Sequence, residues 1–557
     1  AVLTLHCIPH APLISRSRSL VDNQDPTYEN IRLSVNLESY NKKKDTKRAI
    51  LKYFLAGKTV VAMASFVGFF QRMWTVVNPP QPAKSANAIR IGLLGASNIG
   101  PIAIINPARS HPEVIIAAVA ARDEAKAKKY AEKYGIPTTF SSYQDLIDDP
   151  SIDAVYIPLP NGLHYKWALK CLEAGKHILL EKPSVSNATQ AQSLFSSPLL
   201  QTPNSKTGVT PIILEAFHSL FHPAFQTFIS LIDRDNIEHV ITLNSAPKWA
   251  FPTNDIRFLY DLAGGALMDC GTYNVMALRS VFGAEPEECL EAGIRHLPKG
   301  ADPVCEEAVT AKWRWGNGGV GELDADLRRA VRWGGWFGFL YDLAGGALMD
   351  CGTYNVMALR SVFGAEPEEC LEAGIRHLPK GADPVCEEAV TAKWRWGNGG
   401  VGELDADLRR AVRWGGWFGW VPVIPSPVVR VRERGVVGPA REGREEVVTR
   451  TVEMWNFLMP FLWHSIVIIE EHVVREVGSR KVVKQWTEKE TKKAYNWMEE
   501  GKKGEIWWTT YRCQLEEFVN RIRGREGSGV WMDGESSVSQ MKMIDSVYEK
   551  ASLPLRP

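Results

Sequence analysis

The chain reads as a two-domain α/β protein with a strand-rich second half. Three observations carry this. From Ile89 onward, apolar runs of strand length alternate with helix-length segments; a glycine-rich turn stands between the first such strand and the first helix; and β-branched runs crowd the later chain. At 557 residues, 45% hydrophobic and 23% charged, the composition is ordinary for a globular protein and allows more than one core. Lys plus Arg (65) against Asp plus Glu (64) leaves a formal charge of +1, so no global field favours nucleic acid or an anionic membrane, and neither partner is expected.

Residues 1–50 lack strong periodicity and carry the basic run Asn41-Lys42-Lys43-Lys44-Asp45-Thr46-Lys47-Arg48, and 1–62 read as disordered or as an extension of the gene reading. Arg16 and Arg18 among serines are faintly similar to an organelle transit signal, while the expected location is cytoplasmic. The apolar stretch from Thr59 to Phe70 is too short to span a bilayer. Met63 reads as an original start, with 63–88 an N-terminal segment and proline-rich linker.

The first domain is expected over 89–215. Ile89-Arg-Ile-Gly-Leu-Leu reads as a buried strand, followed by Gly95-Ala96-Ser97-Asn98-Ile99-Gly100 and a helix. Such a turn holds a pyrophosphate at the helix N-terminus; here Ser97 stands where the full fingerprint has its middle glycine, small enough for close approach and able to add a hydroxyl. Val114 to Ala121 reads as a second strand, and Arg122-Asp123 falls about twenty residues past the turn, where an adenosine ribose is read. Asp123 is a natural N-cap for the helix from Glu124 that stops at Gly135, which leaves Arg122 for a 2′-phosphate and favours NADP. A strand from Asp153 ends in Pro160-Asn161-Gly162-Leu163-His164, and His177-Ile-Leu-Leu ends in Glu181-Lys182-Pro183. Strand carboxyl ends are the ligand side of an open parallel sheet, so Pro160, Asn161, His164, Glu181 and Lys182 join Gly95, Ser97, Asn98, Ile99, Gly100 and Arg122 as candidate cofactor contacts.

Residues 258–338 recur without a change as 339–419, an internal verbatim 81-residue tandem duplication. Repeat arrays have shorter, drifting and more numerous units, so a recent duplication is the simpler account. The nine cysteines include Cys270, Cys289 and Cys305 repeated as Cys351, Cys370 and Cys386, and no CxxC pair occurs, which fits reduced, packed thiols. Glu215, His218 and His222 would be the nearest thing to a metal set, but nothing completes a coordination shell, and no metal is expected.

Five motifs stand in order: the glycine turn, Pro160–His164, Glu181-Lys182-Pro183, Glu215-Ala216-Phe217-His218 with His222-Pro223, and Gly264-Gly-Ala-Leu-Met-Asp-Cys-Gly-Thr-Tyr273. In these the chain resembles the Gfo/Idh/MocA oxidoreductases, within them the branch of dimeric dihydrodiol dehydrogenases and NADP-dependent D-xylose dehydrogenases, from about Ile89 to the end apart from the surplus repeat. The resemblance implies a fold of class α/β plus α+β: an N-terminal Rossmann domain, then over 216–557 a domain with an open, mainly antiparallel sheet that offers one face to substrate and often the other to a second subunit, making a homodimer an expected partner. It implies hydride transfer to NADP from a hydroxyl of a small sugar or cyclic diol, D-xylose to its lactone first and a trans-dihydrodiol second, with a non-catalytic NADP sensor as the alternative of another class. Carried over, Lys182 sits beside the nicotinamide, and Asp269 and Tyr273, four residues apart on one helix face, complete the centre. Tyr273 is expected as proton acceptor with Lys182 favouring its phenolate, and Asp269 as orienter. Ser219-Leu220 depart from the Tyr-Arg common in that branch.

One copy must be surplus, because a single second domain has room for one set. The cheapest excluded window is expected to open at the turns 283–288, 297–303 or 316–319, keeping the first helix and taking later strands from the second copy. Asp269 and Tyr273 are therefore preferred over their duplicates Asp350 and Tyr354.

Overall fold

The computed structural model describes residues 72–247, 250–329, 369–377, 387–395, 401–407, 427–497 and 502–557. The expectations for residues 1–62, for Met63, and for Asp350 and Tyr354 fall outside them. Among the described residues no helix is long and apolar enough to cross a membrane.

The first sheet is built from β1 (Ile89–Leu94), β2 (Val114–Ala120), β3 (Thr138–Phe140), β4 (Ala154–Ile157), β5 (His177–Leu180) and β6 (Ile213–Glu215). All pairs are parallel, in the order β3-β2-β1-β4-β5-β6. The strands are near-continuous apolar runs because helices cover both faces, and Ile91, Leu93, Val119, Val155 and Leu179 are all buried. Crossovers from β1 run one way to β2 and, after β3, the other way to β4, which opens a crevice at the carboxyl ends of β1 and β4.

The helices of this domain are α1 (Asn106–Ser110, continuing a π-helical turn Pro101–Ile105), α2 (Glu124–Tyr134), α3 (Tyr143–Asp148), α4 (His164–Glu173) and α5 (Ala188–Phe195). Their limits follow local chemistry. Asp123 accepts from the Lys126 amide, Ser142 from Gln144 and Asp145, and Asn187 from Gln190, while Gly135 leaves α2 in the left-handed region at φ 72.

The second sheet begins after α6 (Pro223–Ser230) with β7 (Ile237–Pro247); α7 (Thr272–Phe282) then leads to β8 (Glu288–His296), β9 (Glu306–Arg314) and β10 (Val320–Arg329). Copy two contributes backbone strands β11 (Glu369–His377), β12 (Glu387–Arg395) and β13 (Val401–Asp407). β14 (Val428–Glu433), β15 (Val436–Val437), β16 (Arg444–Trp455), β17 (Ser465–Glu476) and β18 (Val482–Lys492) follow, then α8 (Thr510–Ile522) and α9 (Gly534–Lys550). The main order is β18-β17-β16-β14-β7-β10-β9-β8, antiparallel throughout except for β10 on β7. The last two helices return to the first domain: α8 packs on α1 and the turn His218–Phe221, and α9 packs on α5 as well as α7 and β8.

The duplication is resolved differently from the expectation that later strands come from copy two. α7, β8, β9 and β10 all belong to the first copy, and β11, β12 and β13 form a sheet of their own. Copy two keeps the same register 81 residues on, Glu369 opposite Arg395 as Glu288 is opposite Arg314. The reason lies in β7. Arg329 near the end of β10 pairs beside Pro247, and Val428 at the start of β14 pairs beside Leu243, so both lie at the same end of β7. The extra chain lengthens a connection already required there and leaves every helix-to-strand turn of copy one short.

A buried clamp then fixes copy one. Glu306 on β9 pairs with Arg556 near the chain terminus, both side chains fully buried. The Glu306 carboxylate also accepts from the Leu267 amide at 3.0 Å and the Tyr548 hydroxyl at 3.2 Å, while Arg556 Nε donates to the Gly264 carbonyl at 2.5 Å. Gly265, at φ 129, has no room for a Cβ against this carboxylate. Removing one member of a buried, hydrogen-bonded pair strands the other charge, so Arg556→Met should lower the unfolding free energy by about 3–5 kcal/mol. Urea unfolding measures this; a loss below about 1 kcal/mol would show that the pair does not hold the loop.

Candidate active site

Two elements bring the central residues together. β5 ends at Leu180, and the following Glu181-Lys182-Pro183 turn, with a cis Lys182–Pro183 peptide, projects Lys182 from the carboxyl edge of the parallel sheet. From the other domain comes a π-helical turn, Leu267–Gly271, running directly into α7. Such wide turns recur at functional sites because they turn a side chain out of the regular helical row. Here the turn carries Asp269 and α7 carries Tyr273.

Lys182 Nζ donates to the Asp269 backbone carbonyl at 2.8 Å and to Asp269 Oδ1 at 3.1 Å, and it stands 4.8 Å from the centre of the Tyr273 ring. Asp269 Oδ2 accepts from Arg257 Nε at 3.0 Å. Burial pushes the Asp269 carboxyl up, but Lys182 and Arg257 together outweigh it and hold the group below its ordinary value. Thus Lys182, Asp269 and Tyr273 meet, and Arg257 joins them without any signal in the sequence motifs.

The expectation that Lys182 favours the Tyr273 phenolate is corrected. Burial first, then Tyr511, Glu181 and Asp269, push the phenol well above its ordinary value of 10.0. The ammonium lies over the ring face and is engaged by Asp269, so its charge is spent on the carboxylate. Around Tyr273 stand Phe217, 5.7 Å away edge-on, and His218 at 5.5 Å. His218 Nδ1 is 2.8 Å from Thr510 Oγ1, and its ring lies 4.0 Å from Tyr511; burial, aided by Lys182, pushes its pKa down to about 3, leaving it neutral.

The expected cofactor contacts divide into two groups. Gly95 adopts φ 105, and Ser97 Oγ accepts from the Gly100 amide at 3.2 Å while the Ser97 carbonyl accepts from Tyr130. A Cβ on Gly100 would stand 2.5 Å from the Tyr130 hydroxyl, so the turn needs its glycines to lie flat on the helix start. Asn98 is exposed and Ser97 and Ile99 partly so, at the carboxyl edge of β1. Arg122 is exposed at the end of β2, touching Tyr143, and Asp123 is committed to its cap. These residues fit a phosphate-bearing dinucleotide.

Others are held by the protein itself. Asn161 donates to the Ala263 carbonyl at 3.1 Å and, next to Pro160, joins the first domain to the Gly264 loop. Glu181 accepts from the Tyr156 hydroxyl at 2.6 Å. His164 corrects its expectation: it is fully buried, with ring nitrogens 2.9 Å from the Pro183 carbonyl and 2.7 Å from the Leu159 carbonyl. Burial pushes its pKa down to about 4, so the neutral ring donates to one of the two and braces the Lys182 turn from beneath, with no free nitrogen for a ligand.

Glu215, His218 and His222 turn to separate partners. Glu215 accepts from the Ser184 amide at 2.8 Å, and His222 Nδ1 accepts from the Ala224 amide. Among the described residues, a different group, Glu470, His472 and Glu488 on β17 and β18, brings ligand atoms within 4.8 Å of one another.

With this geometry in view, a parallel dinucleotide sheet joined to a mixed sheet that closes a Lys–Asp–Tyr centre over its carboxyl edge defines a class of two-domain nucleotide-binding proteins. Residues 89–197 match the model of an oxidoreductase family with an NAD-binding Rossmann fold, and residues 225–337 match the GFO/IDH/MocA C-terminal domain. In these two stretches the chain is similar to the Gfo/Idh/MocA oxidoreductases.

Among its relatives is D-xylose 1-dehydrogenase (NADP(+)) 2 of Haloferax volcanii, 40% identical over 194 residues, 34% of this chain and 57% of the relative. Trans-1,2-dihydrobenzene-1,2-diol dehydrogenase of Xenopus tropicalis is 35% identical over 191 residues, 34% of this chain and 54% of the relative. The match thus spans little more than half of these relatives. A 3-ketoreductase from Actinomadura kijaniata, solved with NADP and TDP-benzene, superposes with a TM-score of 0.51 at 18% identity, over 83% of this chain and 98% of that one, and shares the fold.

Glu215 has a measurable signature. Burial pushes its pKa from 4.5 up to about 7. The folded protein therefore holds a proton that the unfolded chain releases between pH 4.5 and 7, so this group makes stability fall as pH rises through that window, by up to about 3 kcal/mol. Glu215→Gln should flatten that part of the stability-against-pH curve; an unchanged slope would exclude the proton uptake.

Proposed function

We propose that the protein is an NADP-dependent dehydrogenase that oxidises a hydroxyl of an aldose or cyclic diol, with D-xylose to its lactone as first substrate and a trans-dihydrodiol as second. The observation that carries this is the convergence of Lys182, Asp269 and Tyr273 at the carboxyl edge of the dinucleotide sheet. Two relatives whose names specify D-xylose and dihydrobenzenediol oxidation support the substrate class.

Bound NADP supplies the hydride acceptor. The glycine turn and the start of the following helix would hold the pyrophosphate, and Arg122 the 2′-phosphate, with Asp123 Oδ1 engaged in capping the next helix. Asp269 orients Lys182 through its carbonyl and Oδ1, which holds the ammonium over the Tyr273 ring. Tyr273 accepts the hydroxyl proton as the hydride leaves. Since its phenol is pushed up, the competent phenolate grows with pH, and the rate should climb through the alkaline range.

NADP mixed with pentoses, hexoses and dihydrodiols should give reduced-nicotinamide absorbance. Tight NADP binding with no turnover on the whole panel would replace the enzyme by a dinucleotide sensor. Tyr273→Phe should abolish turnover and its alkaline rise, and Tyr354→Phe should leave both intact; the reverse pattern would move the centre to copy two. Arg122→Ala should raise the Kd for NADP about tenfold or more and leave that for NAD nearly unchanged. Equal losses for both cofactors would remove the 2′-phosphate role.

A further inference from the structure

We infer that Arg257 is a positioning residue of the reaction centre and that it confines a complete centre to the first copy of the repeat. The inference rests on reading Lys182, Asp269 and Tyr273 as that centre. Arg257 divides the Asp269 carboxylate: Oδ2 takes its Nε at 3.0 Å, leaving Oδ1 for Lys182 at 3.1 Å. A carboxylate with a separate cation on each oxygen cannot rotate without losing one of them, and Lys182 is thereby kept over the Tyr273 ring. Arg257 is itself fixed at three points. Nη1 donates to Asp255 Oδ1 at 2.9 Å, the plane lies 4.4 Å over the Phe251 ring, and the Arg257 carbonyl accepts from the Gly265 amide at 2.7 Å. A Cβ on Gly264 would stand 2.6 Å from that carbonyl, so the paired glycines let the loop close on Arg257.

The two side chains that fix the guanidinium, Asp255 and Phe251, lie outside the repeated unit. Arg257 is the last residue before it, and the residue before the second copy is Gly338; Asp255 and Phe251 are matched there by Trp336 and Arg332. Two letter-identical segments therefore differ chemically, because the working unit is longer than the duplicated one. Asp350 has no arginine at the position from which Asp269 is held.

The groups facing Asp269 are Lys182 and Glu181 from the turn after β5, Arg257 with Asp255 from the preceding loop, and Cys270 and Tyr273 from its own helix. Removing the guanidinium takes one of two positive charges from the carboxyl, so its titration midpoint moves up.

Carboxyl ¹³C NMR of the ligand-free protein, with the Asp269 signal assigned from Asp269→Asn, reads this without turnover. Arg257→Met should raise the midpoint and Arg257→Lys should restore part of it. In rate profiles Arg257→Met should move the acid limb to higher pH and lower kcat by up to about 100-fold, with NADP affinity unchanged and partial rescue by Arg257→Lys. An unmoved midpoint together with an unmoved rate profile in Arg257→Met, with NADP binding intact, would overturn the positioning role. If Arg257→Met does not fold, Arg257→Lys and Arg257→Gln are compared by the same readouts. Activity surviving in Asp269→Asn and removed by adding Asp350→Asn would overturn the confinement to copy one. A native protein with no turnover whose midpoint still moves in Arg257→Met would sink the dehydrogenase reading and leave the Arg257 role standing.

Discussion

The buried pairing of Arg556 with Glu306 is the constraint on which the arrangement turns. Near the end of the chain, one guanidinium reaches a carboxylate on β9 and the carbonyl of Gly264, and the same carboxylate holds the amide that starts the π-helical turn. Charges this far from water persist only when fully partnered, so the chain terminus, the second strand of the repeat unit and the site loop must arrive together. The chain has one Arg556 for two letter-identical positions, Glu306 and Glu387, and Glu306 takes it. Gln540 on α9 likewise binds the Thr272 carbonyl, and Trp313 donates to Ser546. The C-terminal helix is thus a single socket, and a single socket accepts one copy.

The centre follows the same economy of partners. Asp269 is ionised because two cations share it, Lys182 is placed because Asp269 offers it both a carbonyl and a carboxylate oxygen, and His164 and Glu215 brace the lysine turn from below. Neutral His218 and Tyr511 wall the tyrosine in with apolar ring faces. Positive charge is concentrated on one carboxylate and withheld from the phenol, which separates the task of orientation from that of proton uptake.

Much of this was legible in the sequence wherever period or chemistry is local. The buried run Ile89–Leu94, the Asp123 cap, the Gly135 stop and the strand patterns of β7, β9, β16 and β17 each follow from neighbours a few residues away. The Lys182, Asp269 and Tyr273 set came from ordered motifs. What did not show were partners with no period to mark them. Arg257 lies in a loop without an apolar rhythm, and Arg556 meets Glu306 across 250 positions of chain. The charge state of Tyr273 and the enclosure of His164 depend on burial, which a motif does not record. The placement of the surplus copy was misjudged because surface turns looked cheapest to open, whereas the shared end of β10 and β14 beside β7 already supplied a crossing.

That crossing also bears on inheritance. Because the copies are letter-identical, recombination that removes either one leaves the same polypeptide, with Arg257 again joined to the surviving Phe-Leu-Tyr-Asp and the chain resuming at Trp420. The lineage can lose the extra segment in one step without scarring the centre. Its record of having carried two would vanish, since no residue would mark which copy was kept.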